Sequence, residues 1–267
     1  MSPEKTEPRY WDKIYRDAGK PKTLTPKIVK LLAKFIPVPK SNLEARIHQI
    51  ASDENIRIML EAGCGEGRYV FPLAHSVSLS VGIDFSREAI YKAMEHKTFM
   101  PAKDNIFLCL ADVGNLPFAD NTFDLILSLG VIEHFRNPSP LLGEMRRVLK
   151  SDGLLFLEVP NRKGFGRTKK WIEMSRRKFG YHDYYTCGEL SVITSKAGLK
   201  VKKAYFMDFA WGVSIWYGSY IKIAYLSNKG ILKYINIAIA RMLYWLSCPL
   251  NRVMKDRGFY SIVEASK

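Results

Sequence analysis

No two cysteines in this chain are spaced C-x-x-C. The four thiols, Cys64, Cys109, Cys187 and Cys248, are scattered along the sequence. That scatter excludes the common zinc modules, so no metal is expected. Cys64 and Cys109 fall in glycine-rich or apolar runs, where a reduced thiol behaves as a small hydrophobe. This usage suits a reducing cytoplasm better than secretion. Long uncharged apolar runs are missing too. Phe209 to Ile221 carries no charge but is short, and the later apolar stretch is broken by Arg241. No segment reaches the roughly 18 uncharged residues of a membrane-spanning helix. The opening MSPEKTEPRYWDK has no apolar signal core, so no export is expected. Acids are scarce: 26 Asp and Glu stand against 41 Lys and Arg, a formal net charge of +15. That balance favours an anionic partner: nucleic acid, a phosphorylated substrate or an anionic membrane surface.

What is present is enough for one large domain. The chain has 267 residues, 47% of them hydrophobic, so a sizeable core can be buried. In RYWDKIY, Tyr10, Trp11, Ile14 and Tyr15 share one helical face. TPKIVKLLAKFI offers Thr25 as N-cap and Pro26 at the first helical position, and Pro37 ends it. SNLEARIHQIA opens with a capping box, Ser41 and Glu44. From residue 56 the pattern changes to short apolar runs: IRIML (56–60), SLSVGID (78–84), IFLCL (106–110), FDLILSL (123–129) and GLLFLEV (153–159). Helices are predicted between them near 67–75, 86–97 and 138–150. Near-continuous apolar strands separated by helices imply a parallel sheet covered on both faces. In TCGELSVITSKAGL, Thr186 and Glu189 form another capping box and Gly198 is the helix stop. KVKKAYFMD and GFYSIVEAS add two strands. The implied organisation is a helical lid over 1–55, a core over 56–208, an aromatic and basic helical cap over 209–250 inserted in that core, and a last core strand in 251–267.

Ligands of such sheets bind beyond the carboxyl ends of the strands. There EAGCGEG follows the first strand. Gly63, Gly65 and Gly67 permit positive φ and close approach to the backbone. The helix start behind them would present free N–H groups. Asp84 ends the next strand, 21 residues after Gly63, and a carboxylate there suits a ribose diol. A nicotinamide fingerprint needs a third glycine where Arg68 stands. An adenosine-type ligand is therefore favoured. After the third strand, Asp112 can accept from an adenine amine and Val113 can pack on its face.

With NLPFADNTFDLILSLGVIEHF, the chain resembles the class I S-adenosylmethionine-dependent methyltransferases, specifically the methyltransferase type 11 group. The likeness rests on MLEAGCGEGRYV, VGIDFS, ADVGNLPFADNTFDLILSLGVIEHF and EMRRVLKSDGLLFLEVPN, over about 56–160. It implies a doubly wound, Rossmann-like α/β fold, a mostly parallel seven-stranded sheet with N-terminal helices and a helical insertion before the last strand. It implies S-adenosyl-L-methionine as cofactor. In that family Glu61, Gly63, Cys64, Gly65 and Gly67 would hold the methionine moiety, Asp84 the ribose and Asp112 the adenine, with Phe85 and Val113 also among the cofactor-binding residues. SLGVIEHF, from Leu129 onward, would line the methyl-transfer pocket. Glu61 stands where the family more often has Asp, which keeps the charge.

Methyl transfer from a sulfonium mainly needs alignment, and an oxygen nucleophile gains from a base. His134 is the first candidate base and His182 the second; a packing role competes for each. Tyr184 and Tyr185 are candidates for a substrate wall, against ordinary aromatic packing. Tyr10, Trp11 and Tyr15 could close over the cofactor as a lid or simply dock on the core. RKGFGRTKKWIEMSRRK, 162–178, holds eight basic residues and one acid. It is either a solvated face or a contact for phosphate or anionic lipid. Within 209–250, Trp211, Trp216, Tyr217 and Tyr220 sit among Lys222, Lys229, Lys233 and Arg241, as in a buried cap or an interfacial patch. The leading expectation is a cytoplasmic enzyme, peripheral at the inner membrane face if the patch is interfacial. It would methylate oxygen or nitrogen of a small-molecule or lipid-linked acceptor, with no obligate protein partner. RNA methylation is the rival favoured by charge, although no Asn/Asp-Pro-Pro-Tyr sequence follows the fourth strand. An inactive cofactor-binding module is the third reading.

Overall fold

A computed structural model describes residues 7–18, 42–53, 55–164, 172–173, 176–177, 180–208, 239, 242–243, 246–247, 249–250 and 258–267. The predicted helix with Thr25 and Pro26, the cap residue Ser41, Cys248 and most of the 209–250 segment lie outside them.

All seven expected strands form, in one sheet of order β3-β2-β1-β4-β5-β7-β6. They are β1 (Ile58–Ala62), β2 (Leu79–Asp84), β3 (Ile106–Leu110), β4 (Phe123–Leu129), β5 (Leu149–Pro160), β6 (Lys200–Met207) and β7 (Tyr260–Ser266). β1 to β5 run parallel, and β7 is antiparallel to both β5 and β6. The fold is thus the mostly parallel, doubly wound α/β architecture that the strand pattern implies.

The described helices are α1 (Pro8–Ala18), α2 (Asn42–Ala51), α3 (Val70–Leu73), α4 (Arg87–Lys97), α5 (Ser139–Val148) and α6 (Cys187–Lys196). The capping box of α6 is formed by Thr186 and Glu189, and Gly198 ends that region with φ 80°. Several boundaries differ from the pattern, and β5 starts at Leu149 rather than 153, directly after α5 ends. β1 starts at Ile58, not 56, because the Asp124 carboxylate takes the N–H groups of Arg57 and Ile58 at 3.1 and 2.8 Å. The helix expected over 67–75 contracts to α3, because Gly67, at φ 88°, closes a turn onto the Cys64 carbonyl at 2.9 Å. At α2, Asp208 supplies capping from a distance: its carboxylate takes the N–H groups of Asn42 and Leu43.

Alternate residues of the central strands point to opposite faces. Leu60, Ile126 and Leu157 pack under α5 and α6, while Met59, Leu125 and Phe156 pack under α2. Burial on both faces is why these strands read as continuous apolar runs. No described helix is long and apolar enough to cross a membrane.

Candidate active site

The carboxyl ends of β1, β2 and β4 meet at the switch between neighbours β1–β2 and β1–β4, and a cleft opens there. It opens onto about 600 Å³ of empty space, part of it continuous with solvent. Gly63, Asp84, Phe85, Val113, Leu129 and His134 line it, all expected from sequence. Trp11 and Tyr15 of α1 form the opposing wall.

Asp84 ends β2 at the floor and is 6% exposed. One carboxylate oxygen accepts from the Gly65 N–H and the other from the Ser86 N–H, both at 2.9 Å. Burial pushes this carboxyl above the usual range, against the pull of those backbone donors. The glycine turn is thus clamped to the next strand by the residue expected to meet a diol. Gly65 has φ 55°, and a Cβ there would stand 2.5 Å from the Tyr15 hydroxyl. At Gly63, with φ 79°, a Cβ would stand 2.5 Å from Val131 Cγ2. Both positions demand glycine for backbone shape and for the space around the cleft.

Glu61 sits behind the turn, not on its lining. Its Oε2 accepts from the Tyr69 and Val70 N–H groups at 3.0 and 2.8 Å. Burial pushes its carboxyl up to about 8 despite those bonds. Cys64 is buried in an apolar cluster with Val70 and Ile90, and burial drives its thiol well up. Asp112 holds its own turn, accepting from the Gly114 N–H at 2.9 Å.

His134 lies in a short 3-10 turn after β4. Its Nδ1 is 3.0 Å from the Tyr181 carbonyl. A carbonyl only accepts, so Nδ1 carries the proton and Nε2 keeps its lone pair. Trp11 meets the ring edge-on at 4.9 Å, and His182 does the same at 4.9 Å. His182 in turn packs on Tyr184 at 4.8 Å. Tyr184 and Tyr185 are therefore buried behind the site rather than on its lining. A bridge to Asn161 and a 2.7 Å bond from the Ser261 hydroxyl to the Tyr185 carbonyl draw that segment into the sheet. Glu133, His134 and His182 bring donor atoms within 4.8 Å of one another, a grouping able to hold a cation.

α1 is tied down by contacts no local pattern announces. Asp12 accepts from the Ser86 hydroxyl at 2.6 Å and the Glu88 N–H at 3.2 Å. Arg16 pairs with Glu88 at 2.9 Å. Lys92 donates to the Tyr15 carbonyl and pairs with Glu66 at 3.2 Å. Asp12, Ser86 and the Tyr181 carbonyl are the participants that sequence reasoning missed, since only tertiary contact assigns them.

Residues 60–157 match the family described as a methyltransferase domain. A Bacillus subtilis protein, provisionally named a 23S rRNA (guanine-N(1)-)-methyltransferase, is 31% identical over 57% of this chain and 44% of its own. The chain thus spans less than half the length of that relative. An Encephalitozoon cuniculi protein provisionally named a methyltransferase is 33% identical over 54% of this chain and 70% of its own. Among solved structures, one provisionally named a sarcosine dimethylglycine methyltransferase, from Galdieria sulphuraria, has TM-score 0.59 and 15% identity. It covers 96% of this chain and 98% of its own, a likeness of fold alone.

Proposed function

The chain belongs to the methyltransferase-domain family of class I S-adenosylmethionine-dependent enzymes, and from that premise we propose that it methylates oxygen or nitrogen of a small-molecule or lipid-linked acceptor. Its cofactor, S-adenosylmethionine, supplies an electrophilic methyl group on a sulfonium. The residues present fit that cofactor. The observation that carries the reading is the Asp84 carboxylate, buried at the cleft floor and bonded to the Gly65 and Ser86 N–H groups. Those bonds orient it, and its remaining lone pairs can take a ribose diol. Val113 gives an apolar surface for an adenine ring, with Asp112 beside it. Glu61 and Gly67 shape the turn, and Gly63 and Gly65 leave its backbone open to approach. Trp11 and Tyr15 close the cleft as a lid.

Transfer then depends on holding acceptor and donor in line and dry. His134 would accept a proton from an acceptor hydroxyl or ammonium at Nε2, a role supported by its Nδ1 bond to the Tyr181 carbonyl and by the packing of His182 on its ring. The lipid-linked half of the proposal rests on the aromatic and basic composition of 209–250. A second reading, RNA methylation, is favoured by the +15 charge and by the name of the Bacillus subtilis relative.

The test is transfer of label from S-adenosylmethionine into fractionated lipid, small-molecule and RNA extracts. Label in lipid or small molecules supports the proposal, and label confined to RNA replaces it with the second reading. Asp84→Ala should weaken cofactor binding by about 1–3 kcal/mol. An unchanged dissociation constant in a folded variant would remove Asp84 from the site.

A further inference from the structure

The chain has five histidines, and three of them, His48, His75 and His96, are exposed. The two buried ones, His134 and His182, come from distant parts of the sequence and pack together beside the buried Glu133. A two-point clamp makes that meeting. The residues on either side of His182 are bonded to the other two. The Tyr181 carbonyl accepts from His134 Nδ1 at 3.0 Å, and the Asp183 N–H donates to the Glu133 carbonyl at 2.8 Å. Arg176 holds the carbonyl of His182 itself at 3.1 Å.

The clamp brings side-chain donor atoms of Glu133, His134 and His182 within 4.8 Å of one another. Three atoms so spaced share a point within about 2.8 Å of each, against metal–ligand bonds of about 2.0–2.2 Å, so shifts of under ~1 Å close a coordination shell. A bond from Nδ1–H to a carbonyl is the usual outer support of a ligating imidazole, because it fixes the tautomer and leaves Nε2 as the coordinating atom. Two imidazoles and a carboxylate suit first-row transition ions, whereas magnesium and calcium prefer shells of oxygen alone. The scattered cysteines speak only against thiolate sites. His134 also lines the cleft, so an ion held by these three residues would stand at the cleft wall with positions left for a non-protein ligand.

We propose that Glu133, His134 and His182 bind one divalent transition-metal ion, and that the oxygen of the methyl acceptor completes its shell. The inference rests on the methyl-transfer reading of this cleft and narrows it to oxygen acceptors. A hydroxyl bound to the ion gives up its proton to water more readily, since the ion stabilises the oxyanion. That oxygen attacks the methyl carbon as the carbon–sulfur bond breaks. The bond pair leaves on sulfur, and the sulfonium becomes a neutral thioether. With the ion in place, Nε2 of His134 is a ligand and accepts no proton.

The experiment uses the full chain, stripped with a chelator near neutral pH and then saturated with S-adenosylhomocysteine. Cobalt(II) is titrated by calorimetry and by visible absorption. It should bind at one ion per chain with visible d–d bands, and magnesium should bind at least about 100-fold more weakly. Glu133→Gln and His182→Gln should each lower cobalt affinity at least about tenfold, whereas His48→Gln, His75→Gln and His96→Gln combined should leave it unchanged. Acetohydroxamate, a small oxygen chelator, should shift the bands by entering the open positions. Absence of one-to-one binding in wild type overturns the site. Glu133→Gln and His182→Gln variants that bind cobalt like wild type do so too, as does loss of binding in the triple surface variant. Bands that ignore acetohydroxamate overturn the acceptor role. Wild-type stoichiometry decides even where a buried substitution fails to fold. Failure of stripped wild type to bind S-adenosylhomocysteine would instead overturn the methyl-transfer reading beneath the proposal.

Discussion

His134 is 7% exposed, and burial holds its imidazole down to about 4 from an ordinary 6.5, although the Tyr181 bond pulls the other way. The folded protein therefore carries this ring neutral at physiological pH, available as an acceptor. The same shift sets a stability window. Between pH 6.5 and 4 the unfolded chain binds a proton that the folded chain refuses, so stability falls as pH drops through that range. Glu61 acts with the opposite sign: its raised carboxyl keeps a proton that the unfolded chain loses, so its contribution falls as pH rises towards 8. Comparison with a His134→Gln variant cancels the Glu61 effect. From pH 7.5 to 4.5, wild type should lose about 2–3 kcal/mol more unfolding free energy than that variant. Equal losses in urea titrations would mean that the ring is protonated in the fold. Turnover separates base from support: a base should cost roughly 10²–10⁴-fold on removal, beyond any change in cofactor affinity.

α1 shows how an element can belong to a site without belonging to the core. None of its described side chains enters the buried apolar clusters, yet Trp11 and Tyr15 form a wall of the cleft. Its attachment is polar, through Asp12 to Ser86 and Arg16 to Glu88. Ser86 is also the N-cap of α4 and the donor that fixes Asp84. Asp12→Ala should therefore weaken S-adenosylhomocysteine binding by about 1–2 kcal/mol, because the Ser86 hydroxyl and the Glu88 N–H lose their acceptor. The unfolding midpoint should move by no more than the ~2–4 °C that 1 kcal/mol produces in a domain of this size. A much larger fall at unchanged affinity would make α1 a stabilising element rather than a lid. The amphipathic face of RYWDKIY makes α1 legible as a helix. Its place over the cleft is not, since Asp12 and Ser86 are 74 residues apart.

Across the whole molecule, the distal half of the sheet depends on a polar knot. Glu264 of β7, 3% exposed, accepts from Arg46 of α2 at 2.9 and 2.8 Å and from the Tyr205 hydroxyl of β6 at 2.6 Å. Burial alone would raise this carboxyl, but Arg46 and Tyr205 hold it below the usual range. The antiparallel β6–β7 pair and the helix beneath it are thereby fastened together. Arg46→Ala should destabilise the fold by about 1.5–3 kcal/mol, because the Glu264 carboxylate keeps only the Tyr205 hydroxyl and Lys203, 4.0 Å away. Arg46→Ala with Glu264→Gln should recover part of that loss. Additive losses in denaturant titrations would deny the pairing.

The strands, their parallel arrangement and the glycine turn with Asp84 were determined by the sequence itself. Each rests on a local cause: apolar runs buried on both faces, glycines at positive φ, and an acid at a strand end. Capping at α6 is equally local, three residues from Thr186 to Glu189. Tertiary structure alone decided the rest. It put Asp208 on the start of α2, Asp12 on Ser86, and the Tyr181 carbonyl on His134. It also turned Tyr184 and Tyr185 inward, because the sheet claimed the backbone of their segment. Periodicity reports which face of an element is buried, while a polar side chain's partner depends on which distant backbone group arrives beside it.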